Sequence, residues 1–342
     1  MFVKRMAIFA ILVVALGSCS RDQSGPKADP PEPPPPVICP LTGEIVDDDF
    51  DVEQPVVALK VDNIRTARPH AGLESADIVY EEIVEGGITR FMAVYHCREA
   101  DEVGPIRSAR AVDADILREY VPVLFGYSGG NPGVRAKVGS TEGVVDLAER
   151  SNGSLYRKMS GRSAPSNLST STGNLRGASN VTGAPSIGLV FNPDIAFPTP
   201  DPTASPGAPP PVGRKVTFSY SRTNPIVYTY DDASNSYLRF HGDTPHKSTS
   251  GVQLSARNVV VLKIEVTPGR GLDSAGNPSP EINLIGSGKA FVLRGGHFVE
   301  GEWKRPSLSA RTTITTAEGP IELLPGNTWI HLLPSERTAT VE

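Results

Sequence analysis

Acidic and arginine side chains that could do chemistry together lie close to one another in the first third of the sequence. Two β-rich runs, residues 77–85 and 89–97, are joined by Gly86-Gly87, a pair typical of a tight hairpin. Because side chains alternate along a strand, a two-residue loop places Glu81 on the same face as Arg90. We therefore expect a carboxylate and a guanidinium within reach of each other.

The hairpin and its neighbouring segments supply further charged groups. Arg107 and Arg110 follow in the next loop, and a set of arginines suits a carboxylate or phosphate ligand through paired hydrogen bonds. The same residues could instead form a structural network of ion pairs that holds the hairpin to the loop. The residues predicted to bind a ligand in this polar cleft are Asp62, Asn63, Glu81, Glu85, Arg90, Arg107 and Arg110.

A second interpretation of the acids is a hydrolase of cell-envelope polymers, with Glu81 as general acid or base. On an extended strand Glu81 and Glu85 are about 13 Å apart, whereas paired catalytic carboxylates need about 5 to 9.5 Å. Glu81 would need a partner from elsewhere, such as Asp62 or Asp77. Catalysis is therefore the alternative function. Whether the protein is an enzyme stays open, and the sequence motifs favour a protein that is not one.

Other chemical motifs are incomplete. Residues 126–130 (Gly-Tyr-Ser-Gly-Gly) match a nucleophile elbow, but polar loops and hairpins follow instead of strand–helix units, which favours a glycine-rich turn. His241 and His246 are close in sequence but lack a third ligand, so no metal site is predicted. No nucleotide-binding motif is found, and no cofactor is expected.

The amino terminus indicates where the protein works. Lys4 and Arg5 precede a short apolar run, and Leu16-Gly17-Ser18-Cys19 is a lipobox. We expect cleavage after residue 18 and a diacylglycerol on the Cys19 thiol, since two acyl chains are enough for stable anchoring. The predicted location is the extracytoplasmic face of the cell membrane, with the membrane as partner through the lipid.

Charge and cysteine content limit the expected partners and the expected cross-links of the chain. The formal net charge is −5 over 342 residues and no basic stripe is present, which excludes nucleic acid as an expected partner. Of the three cysteines, Cys19 takes the lipid, and an oxidising exterior favours a disulfide between Cys39 and Cys97. Two free thiols are the alternative.

Composition and periodicity predict an α+β protein with a mixed α/β domain before a β-rich one. Helices are expected at residues 111–120 and 143–150 and in the region 167–178. The predicted segments are a signal peptide (1–18), a Pro-rich tether (19–38), the α/β domain (39–197), a Pro-rich linker (198–213) and the β-rich domain (214–342).

Several sequence blocks together form a recognisable pattern. The blocks are Pro40–Gly43, Val61–Asn63, Ala67–Pro69, Gly72-Leu73, Ala76–Glu81, Glu85–Phe91, Gly104–Arg110, Gly301–Lys304 and Leu324–Ile330. This set resembles the YerB-like family of bacterial lipoproteins. The resemblance implies two domains behind a lipid anchor and brings no established activity. The family usually has asparagine where this chain has Cys39, so any disulfide is a feature of this lineage.

Taken together, the sequence predicts a lipid-anchored binding or scaffolding module of the cell envelope. Its ligand would be an anionic cell-wall fragment, a small metabolite or a partner segment held by Arg90, Arg107 and Arg110. The oligomeric state stays open.

Overall fold

The computed structural model describes residues 35–197, 213–221, 225–272 and 276–342. The predicted lipidation site Cys19, the tether before residue 35 and the Pro-rich linker at 198–212 lie outside the described residues. Residues Pro36–Glu342 form one compact unit. The protein is strand-rich, with 41% strand and 11% helix, so the predicted α+β character holds only in part.

Residues 35–197, which we call the first segment, supply seven strands and all the described α-helices. Four single 3₁₀ turns, at Arg65–Ala67, Leu73–Ser75, Glu85–Gly87 and Gly153–Leu155, connect them. The strands are β1 (Val56–Asp62), β2 (Ile78–Ile83), β3 (Thr89–Tyr95), β4 (Val123–Gly126), β5 (Val144–Asp146), β6 (Arg157–Lys158) and β7 (Leu168–Ser169), and the helices are α1 (Ala111–Leu117), α2 (Pro132–Gly139) and α3 (Thr172–Arg176).

Residues 213–342, which we call the second segment, consist of strands and turns throughout their described part. Its strands are β8 (Lys215–Phe218), β9 (Ile226–Asp231), β10 (Ser236–His241), β11 (Thr244–Pro245), β12 (Ser255–Ala256), β13 (Asn258–Leu272), β14 (Pro278–Asn283), β15 (Gly286–Arg294), β16 (His297–Arg305), β17 (Thr313–Thr316), β18 (Gly319–Pro320), β19 (Thr328–Pro334) and β20 (Ala339–Val341).

One twelve-stranded sheet joins the two segments. Its order is β18-β17-β16-β15-β13-β19-β2-β3-β1-β4-β5, with β14 paired to β13. Strand β19, from the end of the chain, lies between β13 and β2 and is parallel to both. The sheet therefore continues from the first segment into the second through β19.

The two faces of this sheet have different partners. On the helix face, Ala58, Lys60 and Met92 point toward α1, which buries Ile116 and Leu117 in the same core. On the opposite, sandwich face, the side chains pack against a second sheet of order β11-β10-β9-β8-β20, with β12 on β10. Alternation along each strand thus decides which of the two cores a side chain enters.

Aromatic residues dominate the sandwich core. Trp329 of β19 lies 5.5 Å from the ring of Phe91 and 6.3 Å from that of Tyr228, in edge-to-face arrangements. All three side chains are fully buried. Burial of such large rings is the main favourable term that holds the second sheet to the first.

Two predicted helices differ from the structure. Residues 143–150 do not form a helix but contain β5, which pairs in parallel with β4. The segment contains Val144-Val145, and a pair of β-branched residues favours a strand over a short helix. The region 167–178 contains β7 and then the single-turn helix α3, whose first turn is capped by the Ser171 hydroxyl. No helix in the described ranges is long and apolar enough to cross a membrane.

Candidate functional site

The hairpin loop is longer than predicted. The structure pairs Ile83 with Thr89 and Glu82 with Arg90, and a turn of three residues, Glu85–Gly87, lies between Val84 and Ile88. The Val84 amide donates to the Ile88 carbonyl over 2.8 Å. The prediction of a two-residue loop is therefore wrong, because Glu85 joins the two glycines in the turn, a common form of three-residue hairpin.

This difference of one residue changes which acid accompanies Arg90. Since side chains alternate, a shift in register moves every side chain of one strand to the opposite face. Glu82, and not Glu81, lies beside Arg90 on the helix face. Glu81 pairs in register with Phe91 and lies on the sandwich face. The expectation that Glu81 and Arg90 share one cleft is therefore wrong.

Three arginines do converge on the helix face. The cavity there, which we call the arginine cleft, has a volume of about 380 Å³. Arg90 comes from β3, while Arg107 and Arg110 come from the loop before α1. The residues lining it are Glu85, Ile88, Arg90, Arg107, Ser108, Arg110, Gly130, Asn131, Leu272 and Ser279.

Two of the three guanidiniums are paired with acids. Arg107 Nε lies 3.2 Å from Asp62 Oδ2, and Arg110 Nε donates to Glu85 Oε2 over 2.9 Å. Ser279 of β14 donates to the other oxygen of Glu85 over 2.6 Å. These contacts fix both arginines and leave each with a compensating negative charge.

Arg90 is different because its charge has no acidic partner. It is 5% exposed, and its Nη1 donates to the Ser108 carbonyl over 2.7 Å. In the part of the chain that the structure describes, it forms no ion pair, and its Nε has no hydrogen-bond partner. Burial, followed by the charges of Arg110 and Arg107, lowers the pKa of Arg90 to about 9. The cleft thus holds one partly desolvated guanidinium that is not in an ion pair, while the charges of Asp62 and Glu85 act on it from a longer distance.

A buried lysine lies behind the cleft. Lys60 is fully buried, contacts Glu82 and donates to Asp113 Oδ1 over 2.7 Å. Asp113 also accepts a hydrogen bond from the Arg110 amide over 2.6 Å, at the start of α1. The sequence interpretation missed this group, although a lysine inside the apolar run of β1 was a visible signal.

Glu81 lies in a separate buried network on the sandwich face. Its Oε2 is 2.8 Å from Arg239 Nη2 and 3.3 Å from His331 Nδ1. Its Oε1 accepts hydrogen bonds from Thr89 over 2.6 Å and from Asn63 over 3.1 Å. Burial raises the pKa of Glu81, but the charge of Arg239 and these hydrogen bonds outweigh it and hold the pKa well below its usual range.

This environment gives Glu81 no proton to donate and no free lone pair to accept one. A general acid needs a pKa near the working pH and access to substrate. Glu81 is fully buried and its carboxylate already has four partners. The geometry therefore supports a structural ion pair at Glu81 and offers no support for the hydrolase alternative.

The seven predicted ligand-binding residues divide between the two faces. Glu85, Arg90, Arg107 and Arg110 line the arginine cleft, and Asp62 contacts it through Arg107. Asn63 and Glu81 belong to the network behind the sheet. One cavity thus brings together four of the seven residues, and Asn63 and Glu81 lie outside it.

The structure also shows the surroundings of the other residues singled out in the sequence, namely the cysteine pair, the glycine-rich turn and two histidines. Cys39 and Cys97 form a disulfide, with their Cα atoms 6.0 Å apart, that ties the start of the body to the end of β3. The Ser128 amide donates to the Arg107 carbonyl over 3.0 Å, so the glycine-rich turn supports the arginine loop. His241 and His246 both face the Arg239 guanidinium, a cation that disfavours a metal ion there.

Comparison with known proteins identifies the family. Residues 41–184 match the N-terminal domain, and residues 215–330 the C-terminal domain, of a family described as protein of unknown function (DUF3048). The chain is 28% identical over 308 residues to the putative lipoprotein YerB of Bacillus subtilis, covering 88% of both chains. It superimposes on the crystal structure of the YerB protein from Bacillus subtilis with a TM-score of 0.75 and 24% identity, over 90% of this chain and 99% of that one. With both domain models matched and the same fold throughout, the chain belongs to the YerB-like, DUF3048 family.

Proposed function

We propose that this protein is a lipid-anchored binding module on the extracytoplasmic face of the cell membrane, and that its arginine cleft holds an anionic ligand. The lipobox that ends at Cys19 supports the anchor, as does the relative named a putative lipoprotein. The observation that carries the binding role is the buried Arg90 guanidinium, which forms no ion pair in the described part of the chain and whose Nε has no hydrogen-bond partner.

The charges in the cleft favour a ligand group with a single negative charge. Asp62 pairs with Arg107 and Glu85 with Arg110, so Arg90 is the guanidinium of this cleft that is left without an ion pair. A carboxylate supplies one charge and two oxygen acceptors, which suit the edge of a guanidinium. The ligand class is therefore a carboxylate-bearing fragment of the cell wall or a small carboxylic acid.

The apolar part of the cleft sets a second requirement. Ile88 and Leu272 line the cavity beside the charged groups. They offer a surface for the body of the ligand while Arg90 binds its charge. The segments that build the cleft come from both family domains, since Leu272 and Ser279 belong to the second segment and the arginines to the first. Ligand binding would thus draw on both parts of the chain.

A pair of sugars tests this proposal. N-acetylmuramic acid carries a lactyl carboxylate that N-acetylglucosamine lacks, so the two differ in the group that Arg90 should bind. We expect the full chain, purified in detergent, to bind the acid in calorimetry and the neutral sugar at least tenfold more weakly. Arg90→Gln should weaken binding of the acid by about tenfold or more, because a charged hydrogen bond is lost.

Two controls make the result interpretable. Lys289→Gln removes a charge from an exposed pair with Glu300 outside the cleft and should leave binding unchanged. Thermal unfolding of Arg90→Gln shows whether the variant is folded, and Arg90→Lys, which keeps the charge, should bind with intermediate affinity. Equal binding of the two sugars would contradict the proposal. Release of soluble fragments from cell-wall digests by the unaltered chain would also contradict it.

A further inference from the structure

A second cavity, on the sandwich side of the hairpin, has no role in the proposed function. Its volume is about 650 Å³, and it shares no lining residue with the arginine cleft. It lies where the loop after β1 meets the turn between β10 and β11. We call it the basic pocket, and its principal lining residues are Arg65, Arg68, His241, Pro245, His246 and Lys247.

Every ionisable side chain that lines the basic pocket is a base. No aspartate or glutamate belongs to its lining. Arg65 and Lys247 are exposed, and neither forms an ion pair within the described ranges. Their charges are therefore not neutralised locally, in contrast to two of the three arginines of the arginine cleft.

Arg68 is held in position at the pocket wall. Its Nε donates to Asn63 Oδ1 over 3.2 Å and its Nη2 to the Asn63 carbonyl over 3.0 Å. Arg162 donates to the carbonyl of Ala67 over 2.7 Å and also to that of Pro69, which fastens the loop. A guanidinium fixed in this way loses little conformational entropy when it binds an anion.

His241, which lines the pocket, carries a hydrogen-bond donor without a partner among the described residues. The Arg239 guanidinium lies within hydrogen-bond distance of His246 Nδ1 and, at 3.0 Å, of His241 Nε2. Since a guanidinium only donates, both ring nitrogens accept, and His241 carries its proton on Nδ1. That Nδ1 is buried and has no hydrogen-bond partner in the described part of the chain.

The network behind the pocket wall is electrically balanced. Arg239 pairs with Glu81 at 2.8 Å, so its charge does not add to the pocket. His246 is neutral, since its Nδ1 accepts from Arg239 while its Nε2 faces His70 Nδ1 at 2.8 Å. The positive charge offered to a ligand therefore comes from three side chains, Arg65, Arg68 and Lys247.

We propose that the basic pocket binds a phosphate monoester with an apolar ester group. Three uncompensated cations exceed what one carboxylate can neutralise, whereas a phosphate monoester carries close to two negative charges and three acceptor oxygens. The rings of Pro69 and Pro245 supply apolar surface for the ester group. A soluble ester and the headgroup of phosphatidic acid share this chemistry.

Phenyl phosphate and benzoate test the choice of anion. Both carry one aromatic ring, and they differ in the charge and shape of the acid group. In calorimetry with the full chain in detergent, phenyl phosphate should bind at least about tenfold more tightly than benzoate, because it can engage more than one cation. The double variant Arg65→Gln/Lys247→Gln should lose this preference, with phenyl phosphate weakened by about tenfold or more.

The control is a double variant that removes the same number of positive charges from the surface outside the pocket. Arg150→Gln/Lys158→Gln also removes two exposed cations, neither of which lines the pocket. It should keep the affinity of the unaltered protein, and equal weakening in both double variants would overturn the proposal by showing only a general charge effect. Because the test variants leave Arg90 in place, binding of N-acetylmuramic acid is expected to continue in them, which separates this proposal from the proposed function.

The two sources of the phosphate are distinguished with vesicles. The chain from residue 20 onward, which lacks the lipidation site and keeps the compact unit Pro36–Glu342, is used so that the anchor itself cannot bind vesicles. Its sedimentation with phosphatidylcholine vesicles that contain phosphatidic acid, absent with phosphatidylcholine alone and lost in Arg65→Gln/Lys247→Gln, would identify a lipid headgroup. Binding of soluble phenyl phosphate without such sedimentation would identify a soluble ester. If neither probe binds, or benzoate binds as tightly as phenyl phosphate, the proposal is wrong.

Discussion

The role of a single buried acid in this protein depends on the cation with which it forms an ion pair. Glu81 and Glu82 are adjacent in sequence and both are fully buried, yet they serve different cores. Glu82 contacts Lys60 on the helix face, whereas Glu81 pairs with Arg239 on the sandwich face. In both cases an opposite charge compensates for the lost hydration, and Glu81 also accepts hydrogen bonds from Thr89 and Asn63.

Glu81→Gln should destabilise the protein strongly. The change leaves the fully buried Arg239 without its acid, and removing one partner of such a pair costs about 3–5 kcal/mol. The free energy of unfolding in urea at pH 7 measures this effect. Glu300→Gln, which breaks the exposed pair with Lys289, should change stability by less than about 1 kcal/mol. A similar loss in the two variants would show that the buried pair adds little.

At the scale of elements, the β2–β3 hairpin determines which residues enter the arginine cleft and which enter the buried network around Glu81. A turn of three residues, Glu85–Gly87, puts Arg90 into the arginine cleft and Glu81 into the sandwich core. Gly86 and Gly87 adopt φ values of +70° and +71°, in the left-handed region that glycine tolerates best. The turn also places the Glu85 carboxylate where Arg110 and Ser279 can bind it.

Gly86→Ala should lower stability through the backbone alone. A Cβ at this position would meet no atom within 4 Å, so the cost arises from the left-handed conformation, about 1–2 kcal/mol. Gly153→Ala is the matched control, since that site is equally open and has no positive φ. Urea unfolding of both variants gives the comparison, and an equal effect at the two positions would contradict the assigned turn geometry.

At the scale of the whole molecule, a polar network joins two sheets that come from distant parts of the chain. His70 follows β1, and its Nδ1 lies 2.8 Å from the Nε2 of His246, which lies 176 residues further along. His246 in turn contacts Arg239, which pairs with Glu81. Such a network is satisfied only when the second sheet is seated on the sandwich face, so it favours one docking arrangement.

Stability should therefore fall as the pH falls. Burial lowers the pKa of His70 to about 3 and that of His96 to about 4, and it also lowers the pKa of His246 and of His331. Below pH 6.5 the unfolded chain binds protons that the folded protein excludes, which costs about 1.4 kcal/mol per pH unit for each such histidine. The loss continues until the pH reaches the folded-state pKa values.

One acid opposes this trend. Burial raises the pKa of Asp77 to about 6, so the folded protein takes up that proton first and gains stability as the pH falls toward 4. A single group does not offset four histidines. Urea unfolding between pH 7.5 and pH 4.5 should show little change above about pH 6.5 and a steady loss below it, and His70→Asn should make that slope shallower. A free energy of unfolding that stays constant over this range would contradict the neutral histidine network.

The sequence alone determined the features that depend on neighbouring residues. Alternating apolar runs gave most of the strands, and the arginines near residues 90–110 gave the composition of the arginine cleft. Local composition did not determine the register of the hairpin, because a loop of two or three residues fits the same Gly86-Gly87 pair. Only the turn as folded put Glu81 and Arg90 on opposite faces.

The tertiary structure decided what depends on distant parts of the chain. Arg239 lies 158 residues after Glu81, and no local pattern links the two. They meet because β19 inserts beside β2 and the second sheet covers that face. A buried charge must find its partner wherever the fold supplies one, whereas strand formation follows from side chains that are near in sequence. Most of the strands could therefore be predicted from the sequence, and the pairing of buried charges could not.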